Sequence, residues 1–549
     1  FSVCKSLKSI IIPGGLSYCL AVGTFQNCSS LEYVYIPSGI KMIRSDCFKG
    51  CAALKEIVVE SDVPPAIESY SVFNDKIFET AVLKVPDYKI DLFRNNEIWS
   101  RFKHIGTIPT YTINGINYIL NESAKTAVVC PGKEPYSGDM VIPSTVEYND
   151  TEYVVKTLQP GAFAGCKDLT SVVIDAPVTV LPDSLFKDCS SLKSVILNEH
   201  IEIIGQDLFR GCSSLETADI PNGVKTIEHS LFAECKSLRT VTIPESVNRL
   251  GAFAFIGCDN LDSVTILGNI KGIDTQLFAG CFNLSYVSLP DNITWIGQIA
   301  FDNCYNLQTI DIPESVTMIY ENAFSSCISL TSINLPKGLS SIGSCTFCGC
   351  QSLESIILPD GITFIGDNAF LLCSNLDSIV IPKGVKKIEM AMFARCYNLK
   401  SVILPESITE LDTYAFIECY SLSSITIPAN VRKIGDMAFE DCRNMASFYC
   451  CVEDPQEIEM GEDVFNRINE ECILYVPQGC AQTYRADERW SAFSDIREMG
   501  VTQVEPVSRQ AAVPVEYYNL SGSKQSGIQQ GINIIRYNDG TVHKVTNMK

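Results

Sequence analysis

Residues Leu307 to Ser329 read LQTIDIPESVTMIYENAFSSCIS, and the frame of this segment returns every 23 residues through most of the chain. Its sharpest mark is Phe-x-x-Cys, at Phe163, Phe186, Phe209, Phe232, Phe255, Phe278, Phe301, Phe324, Phe347, Phe370, Phe393, Phe416 and Phe439, with cysteines from Cys166 to Cys442. A period in this range, held without a slip through thirteen units, means a stack of like turns, none able to bury its apolar face alone. Stacked turns make long surfaces rather than closed clefts, so the architecture points to binding before catalysis.

Laid over one another, the turns read Leu-x-x-Ile-x-Ile-Pro-x-x-Val-x-x-Ile-Gly-x-x-Ala-Phe-x-x-Cys-x-Ser/Asn. The Leu-x-x-Ile-x-Ile piece alternates and is rich in β-branched residues, which predicts one short strand per turn. Like strands of successive turns can pair only in parallel. The proline that follows, for example Pro244, Pro290, Pro313, Pro336 and Pro359, has no N–H for the ladder and ends the strand. Ala-Phe-x-x-Cys is too short for a lasting α-helix and predicts a single helical turn on the opposite side, its phenylalanine plugging the core. The Ser or Asn before each leucine, among them Ser191, Asn260, Asn283, Asn306 and Asn398, can hydrogen-bond the turn backbone.

Stacking adds length without enlarging a spherical core, so 549 residues do not by themselves imply several globular domains. Hydrophobic residues at 46% against 19% charged are enough for a continuous core, and no apolar run is long enough to span a bilayer. A formal charge of -22, with no Lys/Arg cluster interleaved with aromatics, argues against nucleic acid as a partner. Of 25 cysteines, sixteen take the fourth position of Phe-x-x-Cys: Cys4, Cys28, Cys51 and the thirteen from Cys166 to Cys442. One position in every turn stacks these thiols in a column of small apolar core residues, whose parallel side chains fit disulfide geometry poorly. They are expected to be reduced. The chain opens at Phe1-Ser2-Val3-Cys4, already a repeat motif, which reads as a trimmed or internal start.

The consensus, with its strand proline and its Ala-Phe-x-x-Cys, resembles the 23-residue leucine-rich repeats of the BspA-like bacterial surface proteins, strongly over residues 158–450 and well over 1–60. The resemblance implies an α/β leucine-rich-repeat solenoid: a right-handed, strand-rich superhelix with a parallel β-sheet and short helical turns. It also implies an extracellular or cell-surface protein that binds host or matrix components, although many members have no assigned activity.

A second internal similarity marks the ends of the arrays. Leu83-Lys84-Val85-Pro86, followed by Phe93, Trp99, Phe102 and Ile105, recurs 391 residues later as Leu474-Tyr475-Val476-Pro477, followed by Tyr484, Trp490, Phe493 and Ile496. This spacing sets its apolar groups near one face of a helix, the lid that an open solenoid end needs. The chain therefore divides into a first array with its cap (1–109), a β cap (110–157), the thirteen-turn array (158–450) and that array's cap (451–500). A linker and a small all-β domain (501–549) complete it. Asn114-Gly115 is a hairpin signal, and Met140–Ile142 and Tyr153–Val155 read as strands of the β cap. Beyond Gly500, Val504–Pro514 reads as linker, and Glu516–Leu520, Ile532–Tyr537 and Thr541–Val545 as strands, the last two joined at Asn538-Asp539-Gly540. Tyr517–Gly522 and Gly531–Ile535 resemble the small C-terminal β domains of Bacteroidetes secreted proteins, some of them sorting signals; an ordinary terminal domain fits the tail equally well.

Little in the sequence points to chemistry. His104, His200, His229 and His543 lie far apart, and spacing proposes no catalytic triad or dyad. Cys345-x-x-Cys348-x-Cys350 looks like a thiolate metal motif, yet Cys350 is the column cysteine of its turn and Cys348 the variable residue after Phe347, so no metal and no cofactor is expected. Cys450-Cys451 fits either a boundary sequence or a disulfide of an exported protein. The sequons at Asn149 and Asn519 read as chance.

The third and fifth residues of each strand should point out of the sheet. The third is nearly always hydroxylic, including Ser355, Ser378 and Ser401, and suits a packing ladder along the strands. The fifth varies, and Ile357, Val380 and Ile403 fall on three adjacent turns, an apolar stripe beside that ladder. β-branched residues also suit strands with no partner in view. These six residues are the candidate ligand-binding surface of a non-catalytic adhesion module for a protein or a glycan. The competing readings are a structural spacer projecting other domains and a component of polysaccharide processing. A spacer has no preferred ligand, and an enzyme has a polar pocket with interacting titratable groups.

Overall fold

The computed structural model describes residues 1–12, 19–37, 39–61 and 63–500, and the backbone of four strands beyond them, Pro514–Asn519, Lys524–Gln525, Gly531–Tyr537 and Val542–Asn547. Its contacts divide the chain into two units, Phe1–Pro336 and Lys337–Lys549, and the same turn builds both. The chain is a parallel-strand leucine-rich-repeat solenoid with few helices.

Each turn has three sides. The first is the expected strand, paired in parallel at a 23-residue register, as in Val241↔Val264 of the first unit and Ile379↔Val402 of the second. Where a proline ends the strand, its carbonyl then accepts the N–H three residues on, Pro313 from Val316 at 3.0 Å, and turns the chain. The second side is a ladder of two-residue strands at Val-x-x-Ile, such as Ile203↔Thr226 and Ile204↔Ile227. Two residues are too few to show a period, and the sequence reading passed over this ladder.

The third side differs from the expected helical turn. Residues two before and two after the phenylalanine are left-handed: Ser184 (φ 57°) and Asp188 (φ 60°) about Phe186, Ile299 (φ 60°) and Asn303 (φ 59°) about Phe301. This turns the N–H groups of Ser184, Phe186 and Asp188 the same way, toward the carbonyls of Gln206, Leu208 and Arg210 of the next turn, at 2.8, 3.0 and 2.7 Å. A helix would keep those donors within its own turn. Here they hold one turn to the next, and the corner closes through a short-range bond from Cys189 N–H to Phe186 O at 3.2 Å.

Inside the corner, the rings from Phe163 to Phe439 are each at most 1% exposed. They stack at centroid distances such as 5.6 Å for Phe209–Phe232 and 5.6 Å for Phe370–Phe393. Every described cysteine is free. The column thiols do more than fill space: Cys212 Sγ donates to Phe186 O of the preceding turn at 3.0 Å, and Cys419 Sγ to Phe393 O at 3.1 Å. That inward carbonyl otherwise has only the N–H of its own turn, so a small apolar residue with a weak donor fits where Ala or Val would leave a lone pair unused. Burial drives these thiols upward, Cys51 and Cys166 to about 11 and Cys235 well above its ordinary value.

The asparagines before the leucine bond one another as well as the backbone, Asn283 Nδ2 to Asn260 Oδ1 at 3.0 Å and Asn260 Nδ2 to Lys236 O at 2.8 Å. At the array ends the expected lids are present, but each is two short pieces instead of one helix: Ile90–Arg94 then Trp99–Arg101, and Ala481–Ala486 then Glu488–Trp490. Asn96 and Asp487 cause the break, since their side chains accept from Trp99 N and Arg489 N and so restart the chain with a new cap. Trp99 and Phe102 close over Phe73, and Trp490 and Phe493 over Phe465.

Between these arrays, Tyr111–Ile113, Ile116–Asn121, Thr126–Cys130, Thr145–Tyr148 and Thr151–Leu158 form a five-stranded sheet. Its Asn114-Gly115 hairpin has φ 47° and 83°, as a type I′ turn requires. The strand read at Met140–Ile142 is Gly138–Ile142, which lies outside this sheet, pairs in parallel with Leu169–Ile174 and starts the array ladder. The four terminal strands form an antiparallel sheet. The expected turn at Asn538–Gly540 and nearly all of the linker Val504–Pro514 lie outside the described residues.

The core generates three predictions. Phe301→Ala should cost about 3–5 kcal/mol, through lost transfer energy and a cavity, and chemical denaturation measures it; a loss below about 1 kcal/mol contradicts the stacked core. Thiol labelling of the native protein should reach the half-buried Cys4, Cys19, Cys345, Cys348, Cys451 and Cys480 and spare the buried column until denaturant is added. Because burial raises the folded thiols above their ordinary 9.0, the unfolded chain loses protons first. Stability should therefore fall as pH rises from about 9 toward 11, and be flat with respect to these groups below that window.

Candidate functional site on the strand face

Strand pleating decides which residues are available to a partner. The first, fourth and sixth positions turn inward, and the third and fifth stand on the outer face. In the second unit Ser378 lies level with Ser401, and Val380 with Ile403, while a single bridge pairs Ser355 with Ser378. That register brings Ile357 level with Val380, although Ile357 itself lies outside a regular strand. Ile357 is 81% exposed, Val380 is 42% exposed, and Ile403 is half-buried. Ser355, Ser378 and Ser401 are exposed. The six residues thus share one face, at the strand spacing of about 4.8 Å between turns.

The first unit shows what such a face does when something lies on it. Tyr33 and Tyr35 are the third and fifth residues of one turn, and Val58 is the fifth of the next. They pack against Ile108, Ile119, Val128 and Cys130, so the five-stranded sheet that follows the first array is seated on that array's strand face. Burial, and then the Glu60 carboxylate, raise the Tyr35 hydroxyl pKa far above the usual phenol range. Gln159 Nε2 donates to Glu60 O at 3.0 Å in the same buried junction. Sequence reasoning missed this contact, because its two sides lie dozens of residues apart. The sequence carries one trace of it: Tyr33 stands at a third position that is Ser or Thr in most other turns.

The residues tested for chemistry remain apart. His104, His200 and His229 are exposed, and the side chain of His543 lies outside the described residues. Among the described residues no three of His, Cys, Asp or Glu converge to hold a metal ion. Cys450 is not paired with Cys451; its thiol lies 3.2 Å from the Tyr484 hydroxyl, which donates to Val452 O at 2.7 Å. Burial raises the Cys450 thiol to about 11. Among the described residues no helix is long and apolar enough to cross a membrane.

Parallel ladders at a 23-residue register, closed by a corner of stacked phenylalanines and free thiols, define a leucine-rich-repeat solenoid. The chain belongs to the BspA-type leucine-rich-repeat family, whose profile, described as the BspA type leucine-rich repeat region, matches residues 1–96, 156–285, 249–376, 318–446 and 364–473. No curated protein matches it. Among solved structures, a leucine-rich repeat protein from Bacteroides ovatus is 25% identical over 71% of this chain and 100% of its own, with a TM-score of 0.55. A leucine-rich cell surface protein from Faecalibacterium prausnitzii is 29% identical over 62% of this chain and 94% of its own, with a TM-score of 0.42.

The junction on the first array is directly testable. Val58→Asp places a carboxylate in a contact where Val58 is 6% exposed, and should cost at least about 3 kcal/mol. Hydrogen exchange should then speed up at Ile119, Val128 and Cys130. Ile11→Asp, at the fifth position of an earlier turn and 59% exposed, should leave exchange there unchanged.

Proposed function

We propose that this protein is a non-catalytic binding or adhesion module, exposed outside the cell, that recognises a protein or glycan ligand through the strand face of its solenoid. In this reading residues 1–109 and 110–500 are two arrays, each closed by its own cap, and 501–549 are a linker with a small β domain. The family resemblance carries the location. One observation supports the binding mode above the others: the strand face of the first array already holds a folded β-sheet through Tyr33, Tyr35 and Val58. The same third and fifth positions are exposed at Ser355, Ile357, Ser378, Val380 and Ser401 and half-buried at Ile403. Apolar side chains beside hydroxyls suit a peptide or the face of a sugar ring.

The test is a screen of matrix proteins and glycans against the purified chain, followed by the triple variant Ile357→Asp, Val380→Asp and Ile403→Asp. These side chains lie on the outer face, so circular dichroism should be preserved while affinity for a captured partner is lost. Full affinity in the triple variant, with the fold intact, places the site elsewhere.

A further inference from the structure

In the first unit the strand ladder is interrupted beside a groove, at Ala218. The fourth strand position is Val or Ile from Val172 to Ile425, except at Ala218. Ala218 lies on the two-residue strand Thr217–Ala218, which pairs back with Ser194–Ile196; the next strand, Thr240–Ile243, pairs onward with Ser263–Ile266. The strand ladder is therefore interrupted between these two turns, while the second ladder continues across them through Thr226↔Arg249.

A second, independent sign lies at Ser246. Its counterparts three and seven turns later, Ser315 and Ser407, each donate to a carbonyl of the preceding turn, Ile293 O and Val385 O, both at 2.6 Å. The Ser246 Oγ is buried and has no hydrogen-bond partner. The equivalent carbonyl is that of Val224, and Ser246 makes no bond to it. A buried hydroxyl without a partner is costly, which makes it a group that a ligand can satisfy.

The opening is a groove of about 660 Å³ on the strand face, lined by Thr217, Thr240, Thr242, Asp219, Glu245 and Leu267, with Ser246 at its wall. That volume lies within the range of small-molecule sites, about 300–1,000 Å³. Threonine hydroxyls both donate and accept, and the two carboxylates accept from hydroxyl groups. Leu267, 52% exposed, offers an apolar surface to C–H groups. Asp219, Glu245 and the net charge of -22 repel an anion. A basic peptide would engage the carboxylates but leave Ser246 and the threonines unmatched.

We propose that this groove, at the interruption of the strand ladder beside Ala218, is a subsite for an uncharged saccharide. It rests on the reading of the strand face as the binding surface and adds the ligand class and a second location on that face.

Ligand-observed NMR and calorimetry on the full chain test it, with maltose, cellobiose, lactose and chitobiose as neutral probes, digalacturonate as an anionic probe and trilysine as a basic one. At least one neutral disaccharide should bind and digalacturonate should not. Asp219→Asn with Glu245→Gln should weaken the bound disaccharide at least about tenfold, the scale of losing hydrogen bonds to charged acceptors. Ala218→Val, which adds two methyl groups to the groove lining, should weaken binding at least about tenfold without lowering the melting temperature. The Ile357, Val380 and Ile403 triple variant should leave this binding intact. The inference is overturned if no neutral disaccharide binds, if trilysine alone binds, or if the carboxylate and Ala218 variants keep full affinity. Should a neutral disaccharide bind but depend on Ile357, Val380 and Ile403 instead, the groove falls while the strand-face reading stands.

Discussion

The hydrogen bonds at the phenylalanine corner are the constraint on which the rest of the structure depends. Three N–H groups per turn point along the stack toward three carbonyls of the next, as Phe232 N–H does to Ala254 O at 2.7 Å. That arrangement needs a left-handed residue on each side of the phenylalanine, and bulky side chains occupy it at Phe253 (φ 63°), Ile299 (φ 60°) and Leu372 (φ 60°). Left-handed backbone costs an L-residue about 1–2 kcal/mol, so a turn accepts it only because its neighbour makes the bonds good. One inserted residue would misalign the corner, the strand and the second ladder together. This is why the period holds at 23 while other parts of the turn vary.

Where the turns are free to differ is therefore informative. The inward positions answer to packing, and the corner answers to hydrogen bonding between turns. The third and fifth strand positions answer to neither. Tyr33, Tyr35 and Val58 make that face a seat for a β-sheet, and Ile357 at 81% exposure leaves it bare. Among the inward positions, Ala218 coincides with a break in the strand ladder and lies near the unpartnered hydroxyl of Ser246.

Much of the fold was legible because it repeats. The phenylalanine column, the parallel strands, the buried thiols and the aromatic lids at Trp99 and Trp490 all leave a regular mark on the sequence. The features that were not legible leave none. The ladder at Ile203–Ile204 and its neighbours is two residues long, below the reach of any periodicity. The corner reads as helix by composition, and only the demand of the adjacent turn makes Ser184 and Asp188 left-handed. The seat at Tyr35 joins segments separated by the whole first cap, a relation that only folding creates. The face carrying Ile357, Val380 and Ile403 could be read from alternation alone, but what lies on it could not, since side-chain direction does not name a ligand.

Stacking also limits what that face can carry. Identical positions recur about 5 Å apart, so a charge repeated in successive turns would meet its own kind. Where charges occur at the second strand position they mostly alternate in sign from turn to turn, as in Lys55 with Glu32 at 2.7 Å and Lys400 with Asp377 at 2.5 Å, with Glu354 beside Asp377 the exception. Such exposed pairs add little stability; their use is to avoid repulsion. At the third position the chain avoids the problem with uncharged hydroxyls, which tolerate any neighbour and present the same donor and acceptor in nearly every turn. A surface so regular does not mark one place from another. In the binding reading proposed above, selectivity comes from the fifth position, where apolar residues gather at Ile357, Val380 and Ile403, and from the groove beside Ala218.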